Sequence, residues 1–246
     1  MKIKLHIGLD VHKDKVVVAI AETLGGDPSH YGKWGGTNLA VELGLNKLRK
    51  KFAVDKKQIR LCYEAGPTGF TLARRLKQLG YDCIVIAPSE IEQKPGRKIK
   101  TDKRDALKLA RLLRAGDLKG INIPEPHDEA IRDLCRARTD ASDCVKRAKQ
   151  RLGAFLLRNG IRYDQGSNWS QAHMNYLRQM KLNDASQQVV LEEYIIMIDT
   201  ANVSKERLES RMKEHLEKWD FKPHVEAVMC FRGYDYVAAM TITSEL

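Results

Sequence analysis

Residues 3–22, IKLHIGLDVHKDKVVVAIAE, decide how the amino-terminal half of this chain is read. Ile3, Leu5, Ile7 and Leu9 alternate with polar or small residues, the period-two pattern of a strand, and the strand delivers Asp10 at its end. Residues 16–21 (VVVAIA) are a second, buried strand. An acid carried to a strand end in a net-basic chain is the first pointer to chemistry.

The pattern continues outward from this pair. Gly25-Gly26-Asp27-Pro28 makes a turn, and residues 30–34 read as a third strand. Thr37 caps a helix whose apolar positions include Val41, Leu45, Leu48 and Phe52. Residues 59–63 form a strand that ends at Glu64. Gly66-Pro67 is expected to start the next helix, with proline near its first turn, and Gly80 to close it after Leu72, Leu76 and Leu79. Residues 83–87 (CIVIA) are another strand, ended by Pro88. After a basic stretch, Thr101 caps a helix over about 102–115 that stops at Gly116. The order β-β-β-α-β-α-β-α predicts an α/β fold of the ribonuclease-H-like kind, a mixed sheet with flanking helices. Its first strands form an antiparallel meander and its later ones parallel βα units.

Pro124 and Pro126 mark a boundary, beyond which long helices take over. Ile131, Leu134, Ala141, Val145, Ala148, Leu152 and Phe155 follow spacings of mostly three and four, a heptad-like seam interrupted by Arg138. A polar stretch with Gly160, Gly166 and Asn168 follows. Leu191, Tyr194, Ile198, Ala201, Leu208, Met212 and Trp219 give a second seam, ended by Pro223. Two such helices joined by a connector suggest an antiparallel coiled coil or a dimerising arm. The expected division is a catalytic domain over 1–122, a helical coiled-coil region over 123–222, and the start of a further unit over 223–246.

Composition narrows the partners. Lys and Arg number 43 against 32 Asp and Glu, a formal charge of +11, which favours polyanions and salt-sensitive association with them. The longest clear apolar run is residues 16–21, far short of the roughly 18–20 residues of a membrane-spanning helix, so no membrane partner is expected. The first fourteen residues, MKIKLHIGLDVHKD, carry charges where the apolar core of a signal peptide would be. Five cysteines, odd in number and without a CxxC pair, three of them in apolar strand or helix patterns, read as reduced core residues of a cytoplasmic protein, with no zinc site.

Four acids stand at strand ends or helix starts: Asp10, Glu64, Asp102 and Asp105. Hard cations demand oxygen ligands, and two Mg²⁺ ions about 4 Å apart can stabilise the attacking and leaving oxygens of a phosphodiester. Asp102 and Asp105 are spaced i, i+3, which puts both carboxylates on one helical face. Plainer readings exist for each acid: Asp102 and Asp105 complement a helix dipole, Asp10 is a turn residue, and Glu64 precedes a helix. Taken together, in an order that fits one fold, the four favour a metal site.

Three segments carry a resemblance: LDVHKD (9–14), YEAGPTG (63–69) and IAPSEIEQKPGRKIKTDKRDALKLARLLRAG (86–116). They resemble the DEDD transposases of bacterial insertion sequences, the insertion sequence 110 group, whose amino-terminal domain is similar to the Holliday-junction resolvase RuvC. The resemblance is strong over about the first 116 residues, and the KTDKRDA segment is its most specific part. It implies that Asp10, Glu64, Asp102 and Asp105 are the catalytic, metal-binding acids, with Mg²⁺ as cofactor and Mn²⁺ as substitute. It also implies a coiled-coil region, a structured guide RNA, DNA element ends and target DNA as partners, and homo-oligomers through the coiled coil. The family's carboxyl-terminal domain carries a serine that attacks DNA. Residues 231–246 (FRGYDYVAAMTITSEL) resemble the opening of that domain, and no serine here matches the nucleophile motif, so the chain is expected to be truncated.

Two basic segments complete the reading. Lys94, Arg97, Lys98, Lys100, Lys103, Arg104, Lys108, Arg111 and Arg114 surround Asp102 and Asp105, drawing phosphate towards the acids. Between Asp143 and Asp164 lie Lys146, Arg147, Lys149, Arg151, Arg158 and Arg162 with no acid among them, a phosphate-binding stripe or an ordinary solvated face. His12 can orient a metal-bound water, although a surface histidine after a strand is the simpler reading. With aromatics at 7%, base stacking is not expected to be the main binding mode. The leading expectation is a metal-dependent transposase or recombinase. The alternatives are a non-catalytic fragment that binds nucleic acid and dimerises, a resolvase-like nuclease, and more distantly an actin-like ATPase.

Overall fold

The structure is a computed structural model and describes residues 2–91 and 101–246. The chain divides into two compact units, residues 1–123 and 124–246.

The first unit is built on a five-stranded sheet in the order β3-β2-β1-β4-β5. The strands are β1 (Leu5–Val11), β2 (Lys15–Glu22), β3 (Ser29–Gly35), β4 (Ile59–Glu64) and β5 (Asp82–Ile86). β1 pairs antiparallel with β2, which pairs antiparallel with β3; β4 runs parallel to β1, and β5 parallel to β4. Helices α1 (Asn38–Phe52), α2 (Thr71–Gln78) and α3 (Asp102–Ala115) complete the ribonuclease-H-like order expected from the sequence.

Strand alternation sorts the two faces of this sheet. Leu5, Ile7 and Leu9 of β1 are fully buried against Val16, Val18, Leu61 and Tyr63, beneath Val41, Leu45 and Leu48 of α1 and Leu72 and Leu76 of α2. Burying each large aliphatic side chain of this kind stabilises the fold by roughly 1.5–3 kcal/mol. The opposite face, lined by Val17, Ala19 and Ala21 of β2 and Cys62 of β4, is covered by Ala106, Leu109, Ala110 and Leu113 of α3. Gly8 lets α3 lie close. A Cβ there would stand 2.4 Å from the Ala106 carbonyl oxygen and 2.5 Å from the Ala110 amide nitrogen.

Helix ends follow the sequence signals with two differences. Thr37 caps α1, its Oγ1 accepting from the Ala40 N–H at 3.2 Å, and Gly116 closes α3 in the left-handed conformation. Thr101 occupies the cap position of α3 in extended backbone, but its hydroxyl makes no capping bond. The helix after β4 starts at Thr71 instead of at Gly66-Pro67. Residues 67–70 form a turn with Gly69 at φ +65°, a backbone no helix can include.

The second unit is all helical: α4 (Pro126–Arg158), α5 (Gln171–Gln179), α6 (Ala185–Leu216), α7 (Lys222–Met229) and α8 (Tyr236–Glu245). α4 and α6 pack antiparallel. Ile131 and Cys135 near the start of α4 meet Met212 and Leu216 near the end of α6, while Leu152 and Phe155 meet Leu191, Ile195 and Ile198. Most residues of both expected seams are therefore buried within one chain, with Leu134, Tyr194, Ala201 and Leu208 half-buried. Arg138, the residue that interrupts the first seam, is answered across the pair by Glu209, with Nε donating to Oε1 at 2.9 Å. Pro223 lies in the first turn of α7, where a missing N–H costs nothing, and does not itself end α6, whose last residue is Leu216. α7 and α8 contribute Val225, Val237 and Met240 to the core at one end of the pair. α5 lies within the stretch read as a polar connector; Ser170 caps it, and Met174 and Leu177 pack into the core at the other end. All five cysteines are free, with Cys62 and Cys135 buried and Cys144 and Cys230 exposed. Among the described residues no helix is long and apolar enough to cross a membrane.

Candidate metal centre

The pleat and register of the central strands place the acids. Gly8 and Asp10 of β1 share the α3 face, and Gly8 pairs with Cys62 of β4. The last registered pair is Leu9 with Tyr63. One residue further along, Asp10 and Glu64 emerge at the carboxyl ends of two adjacent parallel strands, where ligand sites of α/β sheets gather. α3 crosses the same face with Ala106 over Gly8, so Asp102, one turn earlier, comes to Asp10.

His12 Nε2 lies 2.9 Å from Asp10 Oδ2 and 3.7 Å from Asp102 Oδ2. From β2, the Lys15 ammonium donates to Asp102 Oδ2. One ligand atom from each of Asp10, His12 and Asp102 falls within 4.8 Å of the others. Asp105 is near enough for its charge to act on Asp10, while Glu64 stands at the strand edge outside the group of three.

The two clustered carboxylates differ in environment. Burial pushes the Asp10 carboxyl above its ordinary range; the His12 contact works against this, and the charges of Asp102 and Asp105 add to it. The hydrogen bond from Lys15 holds the Asp102 carboxyl below its ordinary range, and the same pair raises the Lys15 ammonium. The Lys15 ammonium thus stands against Asp102 where a cation would. Two carboxylates and an imidazole on one side, open to solvent on the other, are a donor set that suits Mg²⁺ through oxygen and Mn²⁺ through oxygen and nitrogen.

The sequence-based candidates fall into three groups. Asp10 and Asp102 bring carboxylate oxygens within 4.8 Å of each other, Asp105 sits one helical turn on, and Glu64 lies on the neighbouring strand end. Lys103 and Arg104 are exposed on the first turn of α3, and Lys108 follows half-buried. Lys146, Arg147 and Arg151 are exposed on α4, and Lys149 is half-buried with its ammonium 5.8 Å from the Trp169 ring centre. Lys94, Arg97, Lys98 and Lys100 lie outside the described residues. Arg114 holds a turn: its Nη1 donates to the carbonyls of Gly25 and Gly26 at 2.7 Å each.

Sequence reasoning missed Lys15, and His12, read first as a surface histidine, lies beside both Asp10 and Asp102. Lys15 lies 87 residues from Asp102, and only the register that places it on the α3 face links them. The signal for His12 was its spacing of two from Asp10 at the end of a strand.

Comparison with known proteins gives the family of the chain. The family model of the IS110-type DEDD transposases, described as a transposase, matches residues 7–159. A putative transposase, y4qE, of Sinorhizobium fredii is 35% identical over 240 residues, covering 98% of this chain and 57% of the relative. The transposase for insertion sequence element IS1533 of Leptospira borgpetersenii is 34% identical over 249 residues, covering all of this chain and 70% of the relative. This chain thus spans little more than half of the first relative. Among solved structures, Thermus thermophilus RuvC in complex with a Holliday junction substrate aligns with 48% of this chain and 99% of that one, at 11% identity and a TM-score of 0.32. With a family match over more than half its residues and two relatives above one-third identity, the chain belongs to the IS110 family of DEDD transposases.

Proposed function

We propose that this chain acts in transposition as a DNA recombinase, cutting and exchanging DNA strands at a divalent-metal site formed by Asp10, Glu64, Asp102 and Asp105. The observation that carries this reading is the convergence of Asp10, His12 and Asp102 beneath the start of α3. Asp10 and Asp102 would hold Mg²⁺, or Mn²⁺ in its place, with Asp105 and Glu64 closing the site from the helix and the neighbouring strand. Such a metal, when bound, supplies charge stabilisation to the phosphodiester oxygens. Without it, the Lys15 ammonium offsets the charge of Asp102, which would otherwise repel the neighbouring carboxylates and the DNA backbone. Lys103 and Arg104, exposed beside the acids, offer phosphate contacts that orient a strand across them.

By family resemblance the full reaction also draws on a serine nucleophile in a carboxyl-terminal domain and on a structured guide RNA. DNA element ends and target DNA are its substrates. The helical unit is the proposed site of self-association, through surface other than the seam its two long helices bury against each other, and the setting is the cytoplasm. The test is incubation with branched and supercoiled DNA in Mg²⁺ or Mn²⁺, beside Asp102→Asn. Cleavage that disappears in the variant supports the proposal, and cleavage of equal rate in the variant refutes it.

A further inference from the structure

The helical unit gathers aromatic rings beside its basic stretch. Trp169, at the entrance to α5, closes a groove of about 510 Å³ against α4 that is also lined by Ser142, Lys146, Lys149, Gln150 and Gly153. Gly153 lies beside the indole, where an added Cβ would come to ordinary contact distance, 3.7 Å from Cζ2 of the ring. The Lys149 ammonium is 5.8 Å from the ring centre. Trp169 also meets His173 at 5.5 Å in a tilted contact, His173 meets Tyr163 at 4.5 Å, and Tyr163 meets the exposed Tyr176 at 5.3 Å.

Trp169 is held there deliberately. It is one of two non-glycine residues in the described chain with positive φ (65°), a conformation that bulky side chains rarely adopt. Its N–H donates to the buried His173 Nδ1 at 2.9 Å, and Ser170 beside it caps α5. Backbone strain maintained by such supports is commonest where a side chain must be presented to a ligand. Residues 144–163, the acid-free basic run, lead straight into this loop.

We infer that this groove takes an unpaired nucleotide of a single-stranded nucleic acid, its base stacked on Trp169 and its flanking phosphates met by Lys146 and Lys149. An aromatic face next to cations is the chemistry of single-strand binding: stacking accepts any base, and the lysines take the backbone. A duplex keeps its bases stacked inside and presents only phosphates, so it engages the lysines without the indole. The inference deepens the nucleic-acid reading of this basic segment. It does not depend on the metal centre.

The experiment measures binding of fluorescein-labelled 12-mers to the full 246-residue chain in EDTA, by anisotropy. The probes are single-stranded RNA, single-stranded DNA, a DNA duplex, and a single strand of abasic sites that keeps the phosphates and lacks the bases. Single strands are expected to bind about tenfold or more tightly than the abasic strand. Trp169→Ala should remove that advantage and leave duplex affinity unchanged, while Trp169→Phe should retain most of it. Lys146→Ala with Lys149→Ala should weaken all probes and flatten the salt dependence. A preference for the RNA or the DNA single strand identifies which of the two is the source of the nucleotide. Equal binding of normal and abasic strands by the unaltered chain overturns the inference without any variant having to fold. So does a folded Trp169→Ala protein with unchanged single-strand preference. Because EDTA excludes metal, failure of the cleavage proposal leaves this result untouched, and the reverse also holds.

Discussion

Gly8→Ala probes the link between packing and site. In the native sheet a Cβ at this position would lie 2.4 Å from the Ala106 carbonyl oxygen, 2.5 Å from the Ala110 amide nitrogen and 2.8 Å from Leu109 Cβ. Ordinary contact starts at 3.4 Å, so about 1 Å of movement is required. Every one of these atoms belongs to the helix frame, and none is the far end of a flexible side chain. The displacement therefore falls on α3 as a body, and α3 carries Asp102 one turn from Ala106. Overpacking of this kind costs about 1–3 kcal/mol, read as a lower urea midpoint. A 1 Å shift of a metal-holding carboxylate should also lower DNA cleavage by roughly a hundredfold. Gly25→Ala is the control, since nothing lies within 4 Å of its added Cβ. The reasoning is refuted if Gly8→Ala matches Gly25→Ala in both urea midpoint and cleavage.

Other consequences can be checked separately. Lys15→Ala removes the cation that competes for Asp102, so Mn²⁺ affinity at neutral pH should rise, and a carboxyl-resolved NMR titration should find Asp102 closer to its ordinary pKa; an unchanged titration would remove Lys15 from the site. Burial raises the Asp10 carboxyl, so its neutral form is the one the fold prefers. Its contribution to stability is present below the ordinary carboxylate range and is lost as pH rises through the raised value. Asp10→Asn should therefore raise the Tm of the metal-free protein at pH 7, with the gap closing as pH falls and reversing when Mn²⁺ is added; a lower Tm in chelator contradicts this. A thiol reagent should label Cys144 and Cys230 quickly. Cys62, Cys83 and Cys135 should react only on unfolding, because burial raises all three thiols, that of Cys83 up to about 12; peptide mapping that finds Cys62 labelled in the native protein would count against the packing of α3.

The parts of the fold that were legible are those with a strong local period. The alternation of residues 3–9 and the apolar run 16–21 gave β1 and β2, and the apolar spacing 41–45–48–52 with Thr37 ahead of it gave α1. Asp102 and Asp105 at i, i+3 were visible as one face of α3 before any tertiary contact was known. What stayed hidden depends on distant partners or special backbone. Gly8 reads as an ordinary small residue in a strand until α3 is laid over it. Lys15 and Asp102 meet only through the hairpin register. Gly69 at positive φ delays α2 in a segment where Gly66-Pro67 resembles a helix start. The low aromatic fraction concealed that Tyr163, Trp169, His173 and Tyr176 assemble into one row, since a total says nothing about clustering.

The central claim, that the acids at the ends of β1 and β4 and the start of α3 form a divalent-metal site, is met most directly by Mn²⁺ titration followed by electron paramagnetic resonance. Unaltered protein, Asp10→Asn and Asp102→Asn would be compared at equal concentration and neutral pH. Saturable binding in the unaltered chain that weakens at least tenfold in each variant is the result predicted here. Equal binding by all three, or none by the unaltered chain, would contradict it.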